Sequence, residues 1–356
     1  MEFLTIGSVK IDDPLSCYRR RRLIGSHFIH ATLEAQQDAT VTNLDLLTYA
    51  GNPDNVADLE NDSRYHFVHG DICDRDLVDS LMAEADVVVH FAAESFVDRS
   101  IYGAEKFIRT DVYGTFVLLE MARKHSISKF IHVSTDEVYG SCPSGSFTEE
   151  DALMPTNPYS ASKAGADRLA YSFYKTYDLP VIITRASNNY GPNQYPEKLI
   201  PLFITNAIQD ISLPVYGDGM QLRDWLYVRD NCAAVSLLIE KGKPGEVYNI
   251  GSGSETTNLQ ITGQILQYLD KSPDLIRHVI DRPGHDRRYS MDTRKISGMG
   301  WAPKWSLEQG LKETVEWYRS NGDWWRRIRE KQGEFRDFYT KHYESIGEQS
   351  WQIRPR

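Results

Sequence analysis

The sequence predicts an α/β protein, a doubly wound parallel sheet with a smaller C-terminal lobe. Three observations carry that prediction. In the first half, short β-branched runs alternate with amphipathic stretches, the rhythm of parallel strands joined by crossover helices. Val87–Phe91 is apolar at nearly every position, as a central strand covered on both faces requires. After about residue 190 the rhythm breaks into Pro- and Gly-rich loops and shorter elements, which suits a second lobe over the sheet's carboxyl edge.

Taken in order, the predicted strands are Thr40–Leu44, Tyr65–Val68, Val87–Phe91, Phe130–Ser134 and Val181–Arg185. The helices between them are Ser26–Ala35, Arg75–Ala83, Ala104–His125 and Ser160–Tyr177. Loops at Gly191–Pro201, Leu213–Gly219, Gly242–Gly245 and Gly251–Ser254 punctuate the rest. We therefore divide the chain into a first domain over 1–190, with residues 1–22 atypical, and a lobe over 191–325 from which some segments return to the sheet. A charged, aromatic helix or tail follows over 326–356, starting to show its composition at Trp324.

The chain has 356 residues, 25% of them charged and 41% hydrophobic, enough for a sizeable core. Its formal charge of −10 argues against a nucleic-acid or anionic-membrane partner, whose footprint is basic. No run approaches the roughly 20 apolar residues of a spanning helix, and the N-terminus lacks the layout of a secretory signal. Cys17, Cys73, Cys142 and Cys232 are scattered without a CxxC pair, so neither a disulfide framework nor a zinc site is expected and no metal is assigned. A cytoplasmic location follows.

Ligands of doubly wound sheets sit beyond the carboxyl ends of the strands, so the residues there carry the chemistry. Asp45 follows the second strand, 20 residues after Gly25. An acid at that place accepts from an adenosine ribose and repels a 2′-phosphate, which favours NAD over NADP. A solvated turn aspartate is the plainer alternative. Asp71 and Ile72 could flank the adenine, and the small Ala92 and Ala93 let a cofactor approach the backbone.

Tyr159 and Lys163 are four apart on a predicted helix and so share a face. An ammonium beside a phenol stabilises the phenolate and makes a general base of a group that normally titrates near 10. Most YxxxK pairs are surface pairs; this one accompanies a strand ending in Ser134–Thr135. Next come Asp136 and Glu137, adjacent carboxyls that could cap a loop. Redox chemistry alone has no use for them, whereas an elimination needs one acid and one base.

With these residues in view, the chain resembles the nucleotide-sugar 4,6-dehydratases of the extended short-chain dehydrogenase/reductase group. The resemblance rests on AAES (Ala92–Ser95), VDRSI (Val97–Ile101), STDEVYG (Ser134–Gly140) and NPYSASKA (Asn157–Ala164). SNNYGP (Ser187–Pro192), PEKLIP (Pro196–Pro201), LPVYGDG (Leu213–Gly219), RDWLYV (Arg223–Val228), YNIGSG (Tyr248–Gly253) and RPGHDRRY (Arg282–Tyr289) narrow it to the dTDP-glucose 4,6-dehydratases. It extends from about Leu23 to Trp325.

The resemblance implies a Rossmann-like fold and a bound NAD⁺ that is reduced and reoxidised within one turnover. Tyr159 would take the 4-hydroxyl proton of the sugar, Thr135 would hydrogen-bond that oxygen, and Lys163 would hold the ribose. Glu137 would then remove the C5 proton while Asp136 protonates the departing 6-hydroxyl. Hydride returning to C6 gives the 4-keto-6-deoxy sugar. Cofactor positions carried over are Gly25, Asp45, Leu46, Thr48, Asp71, Ile72, Phe91, Ala92, Ala93, Thr110 and Asn189, besides Tyr159 and Lys163. Around dTDP-glucose the matching residues are Ser95, Thr135, Asn188, Glu197, Lys198 and Leu199, then Pro214, Tyr216, Arg223, Asn258, Arg282, His285 and Tyr289. Arg223 suits the diphosphate, since a guanidinium binds it bidentately. Family dimers pack the two long helices, here Ala104–His125 and Ser160–Tyr177, against their mates, so a homodimer is expected.

Two places depart from the pattern. The family's TGGAGF turn brings the backbone to the pyrophosphate at a helix N-terminus. Here Tyr18–Leu23 reads YRRRRL. Thr-Gly-Gly-Ala-Gly in GC-rich codons, read one base early, becomes Tyr-Arg-Arg-Arg-Arg. Our hypothesis is therefore a frame shift, compensated before Ile24, and resequencing the gene tests it; an arginine run with no glycine codons in the shifted frame refutes it. Genuine arginines at Arg19–Arg22 would weaken NAD binding, because they lack glycine's conformational freedom and add bulk. Phe96 stands where the family has His. The alternatives are a dehydratase of another nucleotide glucose such as UDP-glucose, a 4-epimerase, in which Asp136 and Glu137 would have no task, and a catalytically impaired nucleotide-sugar-binding homologue.

Overall fold

The computed structural model describes residues 3–7, 23–331, 333, 337 and 339. Arg19–Arg22 and most of the segment after 331 lie outside the described residues.

In chain order the first half comprises β1 (Phe3–Gly7), α1 (Leu23–Ala35), β2 (Val41–Asp45), β3 (Tyr65–His69), α2 (Arg75–Met82) and β4 (Val87–His90). Then come α3 (Val97–Tyr102), α4 (Glu105–Phe107), α5 (Thr115–Lys124), β5 (Lys129–Thr135), α6 (Pro158–Tyr177) and β6 (Val181–Ala186). The second half holds β7 (Asn188–Tyr190), α7 (Leu199–Ile208), β8 (Leu213–Tyr216), β9 (Leu222–Tyr227), α8 (Val228–Lys241), β10 (Val247–Ile250) and β11 (Glu255–Thr257). It closes with α9 (Asn258–Tyr268), β12 (Ile276–Val279), α10 (Arg294–Ser297), α11 (Leu307–Ser320) and α12 (Gly322–Arg326).

The main sheet has seven strands in the order β10-β6-β5-β4-β1-β2-β3. Alternate side chains fill its two faces, as the two-residue strand period dictates. Val89, Ile131 and Val133 pack with Phe28 and Ile29 of α1 and Val235 and Leu238 of α8. Val88 and Phe130 pack with Val117 and Leu118 of α5 and Phe173 of α6. Both faces are thus covered, which is why these strands read as continuous apolar runs.

β1 departs from the expected all-parallel sheet. It sits between β4 and β2 and runs antiparallel to both, pairing Phe3 with Asp45 and Gly7 with Val87. The remaining pairs are parallel. Main-chain bonds can satisfy either direction. A tight glycine turn into α1 would fix the parallel one, and this sequence lacks it.

The predicted helix Ala104–His125 is interrupted by a π-helical turn, Ile108–Gly114, between α4 and α5. A Cβ on Gly114 would lie 2.3 Å from Ile72 Cδ1, so glycine lets the turn press against the loop after β3. The second lobe is built on two small sheets, β11-β9-β7 and β12-β8, around Tyr190, Phe203, Trp225, Ile261 and Leu311. Trp324 and Trp325 belong to that core, Trp325 with no exposed surface. The segment read as a peripheral tail therefore begins inside the lobe: Trp325 Nε1 donates to Tyr318 O at 2.8 Å, so burying the ring leaves no polar group unpaired.

Candidate active site

β5 ends at Thr135, and the next residues form a 3₁₀ turn, Asp136–Tyr139. Thr135 Oγ1 caps that turn by accepting from Glu137 N at 3.3 Å, which fixes both carboxyls at the strand end. Opposite them, Asn157 caps α6 through a reciprocal pair with Ser160, and Pro158 occupies its first turn. Tyr159 and Lys163 therefore stand one turn apart at the start of a well-anchored helix. Lys163 Nζ donates to Val133 O at 2.7 Å.

These groups share one cavity of about 310 Å³ that runs between the carboxyl edge of the main sheet and the second lobe. Its sheet side is lined by Gly25, Phe91, Ala93, Ser95, Thr135, Asp136, Glu137, Tyr159 and Lys163. Its lobe side is lined by Asn188, Asn189, Glu197, Lys198, Leu199, Pro214, Tyr216, Arg223, Asn258, Arg282, His285 and Tyr289.

Asp45, Leu46, Thr48, Asp71, Ile72, Ala92 and Thr110 stand outside this cavity, although Asp45 ends β2 and Asp71, Ile72 and Ala92 follow β3 and β4. Asp45 Oδ1 accepts from Leu47 N at 2.5 Å. His69 Nε2 lies 3.1 Å from Leu46 O, Thr48 O accepts from Gly51 N at 2.6 Å, and Asp71 Oδ1 accepts from Cys73 N at 2.7 Å. Ile72 and Ala92 are fully buried in the layer beneath α2 and α5, and Thr110 is buried in the π-helical turn.

Burial pushes the Tyr159 phenol well above its ordinary range, and the charges of Glu137, Asp111 and Asp136 add to this, while a hydrogen bond with Thr135 opposes them. Burial and the neighbouring Glu137 likewise raise the Asp136 carboxyl far above the usual carboxylate range, against the pull of Arg223. That direction favours the protonated form, the state a general acid needs. Burial holds the His285 imidazole below its ordinary value, and its Nδ1 lies 2.6 Å from Asp281 Oδ1.

Several lobe residues already hold partners across the cavity. Glu197 pairs with Arg99, whose guanidinium lies 3.8 Å over the Tyr49 ring. Lys198 Nζ donates to Ser95 O and sits 5.3 Å from the centre of the Phe96 ring. Arg282 Nη1 donates to Asp98 Oδ1 and Tyr216 Oη to Asp98 Oδ2, both at 3.2 Å. Arg223 donates to Asp286 O at 2.8 Å with its guanidinium over Tyr289. Sequence reasoning missed Tyr49, Asp98, Arg99 and Asp111. Asp111 had left a signal, an acid in register with Phe107, Thr115 and Leu118 on one helix face.

The sheet half of the cavity suits a nicotinamide nucleotide. Ile24, Phe91, Val133 and Ala186 give it apolar walls, and the buried Ser134 Oγ, Ser187 Oγ and Asn189 Oδ1 have no hydrogen-bond partner among the described residues. Flat rings and ribose hydroxyls would satisfy both surfaces.

The sequence model of the family described as GDP-mannose 4,6 dehydratase matches residues 23–314. The chain belongs to that family. This membership places it among the nucleotide-sugar dehydratases of the extended short-chain dehydrogenase/reductase group. Within the family it is 52% identical over 307 residues to a dTDP-glucose 4,6-dehydratase of Streptomyces niveus, covering 85% of this chain and 91% of the relative. It is 54% identical over 295 residues to the low-salt glycan biosynthesis protein Agl12 of Haloferax volcanii, covering 83% and 95%. A solved family structure, DesIV of Streptomyces venezuelae, a dTDP-glucose 4,6-dehydratase with NAD and TYD bound, superposes with a TM-score of 0.85. It is 48% identical, over 86% of this chain and 97% of that one.

Proposed function

We propose that this chain is a dTDP-glucose 4,6-dehydratase, an NAD-dependent hydro-lyase that forms dTDP-4-keto-6-deoxy-D-glucose and water. The observation that carries the reading is the sharing of one cavity by Tyr159 and Lys163 with Thr135, Asp136 and Glu137. A reductase uses the first pair, and an eliminating enzyme also needs an acid and a base.

Gly25, Phe91, Ala93, Lys163 and Asn189 would hold the NAD, with Asp45 toward the adenosine. When bound, NAD supplies the hydride chemistry, taking hydrogen from C4 of the sugar and returning it at C6. The chain supplies the proton chemistry. Tyr159 Oη takes the 4-hydroxyl proton, and Thr135 Oγ1 steadies that oxygen. The resulting ketone acidifies C5–H, which Glu137 removes. Asp136, whose protonated form burial favours, gives its proton to the 6-oxygen, which leaves as water. Glu137 then returns a proton to C5. Arg223 and Arg282 supply positive charge for the diphosphate, and the walls around Leu199, Pro214 and Tyr216 suit the base.

The finer readings rest on further features. α3, α6 and the turn between α4 and α5 expose Tyr102 at 53%, Ile108 at 52%, Tyr113 at 42% and Tyr177 at 45%, a face suited to a second copy. Cys73, Cys142 and Cys232 are buried, and no helix among the described residues is long and apolar enough to cross a membrane. We read these as a cytoplasmic homodimer.

The test is to release and quantify nicotinamide cofactor from the purified protein, then incubate it with dTDP-glucose and with UDP-glucose. Near-stoichiometric NAD and a 4-keto product from dTDP-glucose support the proposal; preferential turnover of UDP-glucose reassigns the substrate. A second reading, an impaired nucleotide-sugar-binding homologue, is favoured by the antiparallel β1, whose last residue pairs with Val87 at the edge away from the cavity. Absence of NAD together with no turnover when NAD⁺ is added would establish that reading.

A further inference from the structure

The proton ledger of the proposed reaction leaves the site in a state that cannot start again. Each turnover gives Tyr159 one proton, from the 4-hydroxyl, and takes one from Asp136, into the departing water. Glu137 receives one from C5 and gives one back. The site therefore ends with Tyr159 as phenol and Asp136 as carboxylate, whereas the 4-hydroxyl proton can be taken only by a phenolate, formed against the burial that raises the Tyr159 phenol, with Asp136 as the acid. No net proton is gained or lost; one sits on the wrong group.

The two groups are joined by a single hydroxyl. Thr135 hydrogen-bonds Tyr159, and Thr135 Oγ1 donates to Asp136 Oδ1 at 3.2 Å. The backbone N–H of Glu137 donates to Thr135 Oγ1 at 3.3 Å, which holds the hydroxyl between its neighbours. Asp136 Oδ2 is buried and has no partner among the described residues, so one carboxylate oxygen faces the Thr135 link and the other remains for the sugar. Tyr159, Thr135 and Asp136 are each less than a tenth exposed, which leaves bulk water a poor competitor for this exchange.

We propose that Thr135 is a proton relay that resets the active site between turnovers. This rests on the dehydratase reading above. In the step, the Tyr159 O–H bond breaks and its proton goes to Thr135 Oγ1. The Thr135 O–H bond breaks in concert, and that proton goes to Asp136 Oδ1. The phenolate and the carboxylic acid are restored, the threonine is again a hydroxyl, and nothing is oxidised or reduced. Before the next turnover the hydroxyl points the other way, donating to the Tyr159 phenolate and accepting from Asp136. That orientation also favours the charged form of the tyrosine. A threonine serves because a hydroxyl donates and accepts at once; valine has its shape and neither ability.

The experiment uses the NAD-loaded enzyme with dTDP-glucose in stopped flow, at the highest pH at which the enzyme stays folded and active, where the share of tyrosinate is greatest. Tyrosinate absorbance, taken as parent minus Tyr159→Phe, falls in the first turnover and recovers as the site resets, while 4-keto product is followed by quenching. In the parent and in Thr135→Ser, recovery should keep pace with product formation. In Thr135→Val, loss of the relay should slow recovery by roughly tenfold or more beyond any slowing of the first turnover. Added small buffer acids should then restore the recovery but not the first turnover. Equal slowing of both phases in Thr135→Val, or recovery indifferent to buffer, would overturn the relay. Were the valine variant unable to load NAD, Thr135→Ala with the same readout would take its place. Absence of product from the parent enzyme would instead overturn the dehydratase reading, so the two failures are distinct.

Discussion

Asp98, on the helix after β4, holds Arg282 of the opposite lobe at 3.2 Å, with both side chains largely buried. The Tyr216 hydroxyl donates to the second oxygen of the same carboxylate. Arg282 Nε has no partner among the described residues, so Asp98 positions a cation that keeps a buried donor available to a ligand. Asp98→Asn leaves the arginine without its counter-charge. It should raise KM for dTDP-glucose by about tenfold or more, as breaking a buried, hydrogen-bonded ion pair does, while kcat changes far less. Steady-state kinetics check this; a fall in kcat at unchanged KM would contradict it.

Asp111 should make stability fall with rising pH. Its carboxyl is pushed up to about 7, first by burial and in smaller part by Glu94, against Lys163, the Ser162 hydroxyl and Glu94 N–H. A raised carboxyl pKa means that the folded state holds the proton more tightly. The cost is absent below the unfolded value near 3.8 and complete above about 7, on the order of 4 kcal/mol. Asp111→Asn keeps the acceptor for Glu94 N, and the Ser162 hydroxyl has a second acceptor in Tyr159 O at 2.8 Å. The variant should gain stability relative to the parent between pH 5 and 8, read by denaturant titration across that range. An unchanged difference would refute it.

A second buried charge should act with the opposite sign. Arg185 donates to both oxygens of Asp167 at 2.9 and 3.1 Å, with neither side chain more than 1% exposed. Burial alone would raise the Asp167 carboxyl, but the bonds and charges of Arg185 and Arg168 together outweigh this and hold it below the usual range. The pair's stabilisation is present above the unfolded value and is lost as pH falls through the folded one. Asp167→Asn at neutral pH should cost about 3–5 kcal/mol, measured as a lower denaturation midpoint. Arg185 also donates to Tyr139 Oη at 2.7 Å, so Arg185→Met should be at least as harmful.

The exposed aromatic face predicts a dissociable dimer. Tyr102→Glu together with Tyr113→Glu places charges where a second copy would bury apolar surface. Sedimentation should show a dimer for the parent and a monomer for the variant. A parent that is monomeric at micromolar concentration would contradict the homodimer.

The sequence by itself determined the elements and their layering, because period and adjacency are local properties. Val87–Phe91 reads as a covered strand since Val87, Val89 and Phe91 pack on one face and Val88 on the other. Tyr159 and Lys163 share a helix face by spacing alone, and Thr135, Asp136 and Glu137 are neighbours in the chain. Only the tertiary structure decided how distant segments pair. It placed Arg99 against Glu197, Lys198 against Ser95 and Arg282 against Asp98, where motif matching had assigned the lobe residues to the sugar nucleotide alone. It turned a predicted continuous helix into a π-helical turn that buries Asp111 behind Lys163. It also set β1 antiparallel, since strand hydrogen bonding accepts either direction and the turn that would choose one is missing from the sequence.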